Sequence, residues 1–303
     1  MPKISIITTT YKHSDFIAHT IESVLAQTYT DRELLIWDDS PDDATRDIII
    51  WYTSRYPDKI KARHHTPNKW IVDNMNFLIS QSSHDSEYLS LLEWDDMYTP
   101  DNLQEKIHIF ERYPEVGLVY SDMSFIDKNN NTTLYSFYKK KDWLFMNNNI
   151  QDEYWFLRNP ASIMSYSSSM IKKEIVFDGS IYIRSLRIWK EYSVSDREFY
   201  IKILTKYKSF FIDKPLVRYR THASNISNTH WIIWYDMSIV LGTLFQEGFW
   251  DKKKALKIVC LNFFKDTNIH ILIWRIKVLL YILFPSKYLN TIMKYIYWYK
   301  SHA

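Results

Sequence analysis

Residues 3–39 read KISIITTTYKHSDFIAHTIESVLAQTYTDRELLIWDD, and the fold is predicted outward from this segment. An apolar run over residues 3–9 predicts a buried β-strand, and apolar residues over 16–25 then recur at helical spacing. A second apolar run over residues 33–37 predicts the next strand. A strand, a helix and a strand in this order are typical of a parallel sheet covered by helices.

The same alternation continues along the chain. Helices are predicted over residues 43–55, 71–81 and 100–113, and strands over residues 60–64, 87–94 and 117–127. The pattern therefore predicts an α/β fold with a mostly parallel central sheet and helices on both faces. From about residue 229 the pattern turns helical, which predicts a C-terminal helical extension.

The composition is that of a folded protein with little cysteine chemistry. Of 303 residues, 46% are hydrophobic and 24% charged, which excludes a disordered chain. The single cysteine, Cys260, excludes an internal disulfide framework and a cysteine-rich metal site, and it fits a reducing cytosol. We expect no signal peptide. Aromatic residues reach 17%, which favours flat ligands such as sugars or bases, unless the genome itself is biased toward them.

Charge is distributed unevenly along the chain. The net charge is +3, but residues 251–303 contain ten Lys or Arg and two Asp, which leaves −5 for the first 250 residues. Residues 269–284 are strongly apolar, yet Arg275 and Lys277 interrupt them, and they are shorter than the ~20 residues of a spanning helix. We expect these helices to bind the membrane surface from the cytoplasmic side. Packing within the protein or in a dimer is the alternative.

Polar side chains cluster where three of the predicted strands end. These are Thr8, Thr9, Thr10 and Tyr11 after the first strand, Asp38 and Asp39 after the second, and Glu93, Asp95 and Asp96 after the fourth. Ligands of such sheets bind at the carboxyl ends of the strands. With only 4 Gly and no glycine-rich loop, the sequence favours a divalent cation held by carboxylates as the partner of a diphosphate. A pair of acids after a strand can also simply cap the next helix.

Four motifs in this order resemble family 2 of the glycosyltransferases. The opening segment, with ESVLAQTY and ELLIWDD, resembles the start of the family, and LLEWDDMYTPDNL resembles its Asp-x-Asp segment. VSDREFYIKIL resembles its later acidic helix start, and VRYRTHASNIS its strand and histidine segment. The resemblance covers about residues 3–227, and the opening is particularly similar to spore-coat polysaccharide glycosyltransferases of the family.

The resemblance implies a GT-A fold and a division of the chain. Residues 1–228 would form the glycosyltransferase domain, with a nucleotide-binding half over 1–115 and an acceptor half over 116–228, followed by a helical region over 229–303. The implied reaction transfers a sugar from a nucleotide-diphosphate donor to a hydroxyl of a glycan or lipid-linked acceptor, with inversion. Surface polysaccharide synthesis at the inner face of the cell membrane is the expected setting.

The resemblance also assigns residues to the donor. The residues implied for donor binding are Thr9, Tyr11, Asp39, Asn68, Glu93 and Asp95. Tyr11 and Asp39 would hold the base and Glu93 would lie near the ribose. Because a carboxylate accepts the N3–H of uracil or thymine, Asp39 favours UDP or dTDP over GDP or CDP.

Metal binding and catalysis are assigned in the same way. Asp95 would bind Mn²⁺ or Mg²⁺, and His222 aligns with a histidine that can reach the metal or the diphosphate. Asp196 would be the general base that removes the proton of the acceptor hydroxyl. Asp196 could instead only complement the helix dipole, and Glu198 is the nearby alternative base.

Three departures from the family pattern stand out. The usual Asp-Asp-Gly-Ser is DDSP over residues 38–41, and the first acid of Asp-x-Asp is Glu93. In the N-x-G…A-R-N segment, Trp70 replaces the glycine and Met75 the arginine. The family's basic contact to the diphosphate is then missing, unless Lys69 replaces it.

Two other functions compete with a glycosyltransferase. A nucleotidyltransferase that makes nucleotide sugars would need a glycine-rich basic loop after its first strand, and this chain has none there. A non-catalytic module that binds glycans or nucleotides is compatible with Glu93 and the missing arginine. We expect no nucleic-acid partner, because the basic C-terminal part is also strongly apolar and carries no binding motif.

Overall fold

The computed structural model describes residues 3–65, 71–137, 150–151, 165–177, 181–183 and 195–222, together with Asn225 and Gly248. The strands are β1 (Lys3–Thr10), β2 (Arg32–Asp38), β3 (Ile60–His64), β4 (Ser86–Leu91), β5 (Met97–Tyr98), β6 (Val116–Ile126), β7 (Thr132–Leu134), β8 (Ile150–Gln151), β9 (Ser169–Lys172) and β10 (Lys208–Arg220). The helices are α1 (Ile17–Leu25), α2 (Asp43–Arg55), α3 (Ile71–Ser80), α4 (Asn102–Arg112), α5 (Glu174–Phe177) and α6 (Ser195–Leu204).

The strands of the described residues form one mostly parallel sheet. Its order is β3-β2-β1-β4-β9-β6-β10-β5, with β7 paired to β6 and β8 paired to β10. β3, β2, β1 and β4 run parallel to one another, and β6 and β10 form a second parallel pair. β9 is antiparallel to both β4 and β6 and joins these two parts. The predicted α/β fold with a mostly parallel sheet is confirmed.

Helices cover both faces of the sheet, as predicted. On one face, Ile4 and Ile6 of β1 share an apolar core with Ile17 and Ile21 of α1 and with residues of α2 and α4. On the other face, α3 packs against β1 and β2. Because β1 is covered on both sides, its residues from Ile4 onward are buried without alternation, which is why its sequence is a continuous run of small and apolar residues.

A buried arginine ties the end of α1 to the start of β2. Arg32 donates from Nε to the Val24 carbonyl over 2.8 Å and from Nη2 to the Leu25 carbonyl over 2.7 Å. Its Nη1 donates to the Tyr29 carbonyl. The last carbonyls of a helix have no partner within the helix, so Arg32 satisfies groups that burial would otherwise leave unpaired.

Several predictions lie outside the described residues. They include the role of Asn68 and, apart from Gly248, the helical and membrane-binding region over 229–303. Within the part of the chain that the structure describes, no helix is long and apolar enough to span a membrane. The boundary at residues 115 and 116 stays a prediction, since strands from both predicted halves belong to one sheet.

Candidate active site

The carboxyl ends of β1, β2 and β4 meet at one edge of the sheet because these strands are parallel and β1 lies between the other two. Hydrogen bonds fix the loops that follow β1 and β2. The Asp39 N–H donates to the Thr10 carbonyl over 3.1 Å, and the Lys12 N–H donates to Ser40 Oγ over 2.8 Å. The first two predicted polar clusters therefore lie side by side.

Asp38 holds the end of β2 in place. One of its carboxylate oxygens accepts the Ser40 N–H over 2.9 Å, and the other lies 2.9 Å from Nδ1 of His64 on β3. The Asp38 carbonyl also accepts the His65 N–H over 2.9 Å. These contacts make Asp38 a residue that supports the loop after β2.

Asp39 has a carboxylate that two neighbouring side chains orient. Trp37 Nε1 donates to one oxygen over 2.5 Å, and Asn74 Nδ2 donates to the other over 2.6 Å. Each carboxylate oxygen has a further lone pair, so Asp39 still has acceptor capacity. Thr9 is buried beside it, in register with Trp37 on the adjoining strand.

The loop after β1 presents one exposed and one stacked ring. Tyr11 is 38% exposed. His13 accepts the Tyr11 N–H at Nδ1 over 3.0 Å, and its ring stacks on the ring of Trp94. Burial, together with nearby His222, lowers the pKa of His13 to about 3. His13 is therefore a neutral ring whose proton lies on Nε2.

Asp95 meets the predicted histidine directly. Asp95 Oδ2 lies 2.8 Å from Nε2 of His222, although the two residues follow different strands. The neighbouring Asp96 is fully buried, and one of its oxygens accepts the Arg220 N–H over 2.9 Å. Burial and the charges of Asp95 and Glu93 raise the pKa of Asp96 well above its usual range.

Glu93 lies within the same acidic cluster. Its N–H donates to Ser167 Oγ over 3.0 Å, in the short 3-10 turn Tyr166–Ser168. Burial, followed by the charges of Asp95 and Asp196, raises the pKa of Glu93 to about 8. Because the charges of Asp196 and Asp95 both act on Glu93, the predicted base Asp196 belongs to the same acidic cluster as the predicted metal ligand Asp95.

Asp196 and Glu198 occupy different environments at the start of α6. Asp196 Oδ1 accepts the Arg197 N–H over 2.7 Å, and burial raises the pKa of Asp196 to about 6. Glu198 forms a buried ion pair with Lys202 over 2.8 Å. Because the ion pair with Lys202 engages Glu198 within the helix, this geometry favours Asp196 over Glu198 as the base.

Asp95 and His222 suit part of a divalent cation site. A carboxylate oxygen and an imidazole nitrogen are ligands that Mn²⁺ accepts. Two neighbouring ligand atoms of an octahedral ion lie about 3 Å apart, close to the 2.8 Å between Asp95 Oδ2 and His222 Nε2. Among the described residues, no group of three or more His, Cys, Asp or Glu side chains could hold a metal. The pair therefore fits an ion that takes further ligands from a bound substrate.

The structure thus brings together Tyr11 and Asp39 on one side, and Glu93, Asp95, Asp196 and His222 on the other. Their roles in binding and catalysis stay predictions. Contributors at this edge that were not predicted include His13, Ser167 and Arg220, together with Trp37 and Asn74, which orient Asp39. Of these, Arg220 carries a signal in the sequence, because a charged residue interrupts the end of a strand-like run.

A sheet with these loops and this acidic cluster at its carboxyl edge has the architecture of a GT-A glycosyltransferase. Residues 5–180 match the family described as glycosyl transferase family 2. Since this match covers more than half of the 303 residues, the chain belongs to glycosyltransferase family 2.

One relative in sequence is EpsE of Bacillus subtilis, which is named as a glycosyltransferase. It is 30% identical over 127 residues, which are 42% of this chain and 45% of EpsE. The match therefore spans less than half of the length of that relative.

Solved structures share the fold at low identity. TarS 1-349 of S. aureus, in complex with UDP-GlcNAc, has a TM-score of 0.64 at 14% identity, over 91% of this chain and 79% of TarS 1-349. The mannosyltransferase PcManGT of Pyrobaculum calidifontis, in complex with GDP-Man and Mn²⁺, has a TM-score of 0.64 at 12% identity, over 99% of this chain and 81% of PcManGT. These likenesses establish the GT-A fold.

Proposed function

We propose that this protein transfers a sugar from a nucleoside-diphosphate donor to a hydroxyl of a glycan or lipid-linked acceptor, with inversion at the sugar carbon. The observation that carries the proposal is the Asp95–His222 pair, 2.8 Å apart, within the acidic cluster at the carboxyl edge. Tyr11 and Asp39 lie at the same edge. Tyr11 and Asp39 would bind the nucleobase, and the acidic cluster with His222 would bind the diphosphate and the sugar.

The nucleobase preference follows from Asp39. Trp37 and Asn74 donate to its two oxygens, and the carboxylate oxygens of such a side chain act as hydrogen-bond acceptors. Uracil and thymine present an N3–H to such a group, whereas cytosine presents an acceptor at N3. Guanine also has an N–H donor, so the comparison with GDP tests this assignment more strictly than the comparison with CDP. Stacking of the base on the exposed Tyr11 ring would add to the affinity for UDP or dTDP.

Asp95 and His222 would hold Mn²⁺ or Mg²⁺ against the donor diphosphate. When bound, such a cation neutralises the charge that develops on the departing nucleoside diphosphate. PcManGT, which shares the fold, was solved with GDP-Man and Mn²⁺. Glu93 would contact the donor from its place beside Asp95.

Asp196 would take the proton from the acceptor hydroxyl as that oxygen attacks the sugar carbon. A general base works best when its pKa is close to the operating pH, and burial raises the pKa of Asp196 to about 6. Glu198 is engaged by Lys202 and would keep α6 in place.

The wider setting follows from the sequence. The similarity of the opening segment to spore-coat polysaccharide glycosyltransferases supports a role in surface polysaccharide synthesis. The basic and apolar residues 251–303 support attachment to anionic lipid at the inner face of the cell membrane. Co-sedimentation of the full chain with vesicles should then require anionic lipid and weaken with salt. Salt-independent binding, or no binding, would contradict the membrane role.

The donor is tested by thermal shift with UDP, dTDP, GDP and CDP, each with and without Mn²⁺, because a ligand of the native state raises its apparent stability. We expect the largest shift with UDP or dTDP in the presence of Mn²⁺. Sugar transfer or slow hydrolysis is then assayed with donors of the preferred nucleotide. A larger shift with GDP would contradict the nucleobase assignment, and binding without turnover of any donor would favour a non-catalytic module.

A further inference from the structure

Arg220 is fully buried beneath the acidic cluster and uses each of its guanidinium nitrogens. Nε donates to the Asp95 carbonyl over 2.8 Å, and Nη1 donates to the Asp127 carbonyl over 2.9 Å. Nη2 donates to Asn130 Oδ1 over 2.7 Å. The ring of Phe16 covers the guanidinium, with its centroid 4.6 Å from Cζ. Arg220 therefore joins four segments that are distant in sequence.

The same residue is linked to the predicted histidine. His222 follows Arg220 by two positions at the end of β10. The Asn225 side chain accepts the His222 N–H over 2.5 Å and donates to the Arg220 carbonyl over 3.1 Å. The backbone that carries His222 is thereby fixed relative to Arg220.

The sheet brings Asp95 close to His222 but does not by itself set the distance between their side chains. β5 begins two residues after Asp95 and pairs with β10, with Met97 opposite Arg218. Asp95 and His222 both lie beyond the paired residues of this ladder, Asp95 before Met97 and His222 after Arg218. The Arg220 side chain extends the connection past the end of the ladder, because it starts on β10 and ends on the Asp95 carbonyl.

We propose that Arg220 is a positioning residue that holds Asp95 and His222 at the separation at which both bind one divalent cation. This inference rests on the metal role in the proposed function. Arg220 does not touch the cation or the substrate in this proposal. It acts through the Asp95 backbone on one side and the 220–222 backbone on the other.

Arginine suits this task and lysine does not. A guanidinium presents five donors in a rigid plane, whereas an ammonium is a single point with three donors. Lysine at position 220 would keep the positive charge near Asp95 and Asp96 but could not reach Asp95, Asp127 and Asn130 together. Arg220→Lys therefore separates the geometry of the contacts from the charge.

Arg32 supplies a matched control at the other edge of the sheet. It is also buried, and it donates to the carbonyls of Val24, Leu25 and Tyr29. Arg32→Lys removes a similar set of contacts far from the acidic cluster. A general loss of stability should affect both variants, whereas a positioning role should affect Arg220→Lys alone.

The experiment measures Mn²⁺ affinity in the full chain by electron paramagnetic resonance titration with UDP present. UDP binding in EDTA is measured separately by thermal shift. We expect Arg220→Lys to weaken Mn²⁺ binding about 10–100-fold, the range typical for residues that orient metal ligands. UDP binding in EDTA should change by less than about threefold, and Arg32→Lys should bind Mn²⁺ like the parent.

A milder variant covers the case in which Arg220→Lys does not fold. Asn130 has a φ of 66°, in the left-handed region that suits glycine. Asn130→Gly therefore removes the acceptor of Nη2 without backbone strain. We expect this variant to fold and to weaken Mn²⁺ binding less than Arg220→Lys does. The expected loss of Mn²⁺ affinity relative to the parent is about threefold to tenfold.

Parent-like Mn²⁺ affinity in Arg220→Lys, or in Asn130→Gly where only that variant folds, would overturn the inference. Equal losses in Arg220→Lys and Arg32→Lys would also overturn it, since the effect would then be general instability. A parent protein that binds no Mn²⁺ with UDP would overturn the metal role in the proposed function and this inference with it.

Discussion

Buried acidic side chains have opposite surroundings at the amino ends and at the carboxyl ends of the parallel strands. At the amino end of β2, Glu33 accepts hydrogen bonds from Ser5 Oγ over 2.7 Å, the Ser83 N–H over 2.7 Å and Lys61 Nζ over 2.8 Å. Burial by itself raises the pKa of Glu33, but these donors outweigh it and lower the pKa to about 2. The protein itself therefore supplies the hydrogen-bond donors that stabilise the charged form of Glu33.

At the carboxyl edge the acids lie next to one another instead. Burial and the charges of Asp95 and Asp196 raise the pKa of Glu93 to about 8. Such an arrangement stores unfavourable charge, which a bound cation would relieve, and shifted groups of this kind are typical of functional sites. Burial alone therefore does not fix the pKa of an acid in this protein, because hydrogen-bond donors surround the Glu33 carboxylate whereas acidic groups lie next to Glu93.

The largest effect is expected for Asp95→Ala. Transfer should fall by about 10³-fold or more, because a bound metal supplies several kcal/mol in such reactions. The Tm should stay equal or rise, because one of the crowded charges is removed. Steady-state kinetics and thermal unfolding of the same sample test both statements. A large fall in Tm would show that Asp95 supports the fold in the way that Glu33 does.

Asp196→Asn should reduce turnover by about 10²–10⁴-fold, the usual contribution of a general base, with donor binding within a few-fold of the parent. In the parent, turnover should rise with pH through about 6, because the base form of Asp196 is populated only above its raised pKa. This rise should be absent in Asp196→Asn. Turnover within a few-fold of the parent would exclude Asp196 as the base.

Glu33→Gln should destabilise the fold and spare the chemistry. A pKa lowered from 4.5 to about 2 corresponds to at most about 3 kcal/mol of stabilisation at neutral pH, and solvent screening of Lys61 reduces the expected loss to about 2 kcal/mol. Because the folded pKa is the lower one, this stabilisation is present above pH 4.5 and is lost as the pH falls toward 2. Urea unfolding at pH 7 and pH 3.5 should show a smaller gap between variant and parent at pH 3.5. Reduced activity per folded molecule would contradict a purely structural Glu33.

Lys106→Met tests the effect of burial on a charged group that has no hydrogen-bond acceptor among the described residues. Lys106 is fully buried on α4, its Nζ has no hydrogen-bond partner among the described residues, and it lies 5.5 Å from the Tyr98 ring centroid. Burial lowers the pKa of Lys106 from 10.5 to about 7. Lys106→Met should raise the free energy of unfolding by about 1–2 kcal/mol at pH 7.

The advantage of Lys106→Met should shrink as the pH rises. The unfolded chain holds the lysine proton up to pH 10.5 and the folded chain only to about 7, so folding of the parent becomes more favourable between these values. Urea unfolding at pH 7 and pH 9.5 measures the change. A variant that is less stable than the parent at pH 7 would show that Lys106 is held by favourable interactions.

Local sequence patterns were enough to predict the alternation of strands and helices and the end of the strands at which polar residues cluster. The predicted helix over 43–55 and the strand over 60–64 have the bounds of α2 and β3. Periodicity is a local property, and parallel strands must end on the same side, so both conclusions follow without knowledge of packing. β9 was not predicted, because four residues between irregular segments give too short a signal.

The different surroundings of the acidic residues became visible only in the folded protein. Asp38 and Asp39 are adjacent in sequence, yet their partners differ. The Asp38 carboxylate contacts His64, whereas Trp37 and Asn74 donate to the Asp39 carboxylate. Likewise, Asp95 meets a histidine 127 residues away, because β5, which follows Asp95, pairs with β10. Whether a buried carboxylate finds donors or other acids depends on contacts between distant segments. Those contacts are set by strand order and packing, which no local pattern of residues contains.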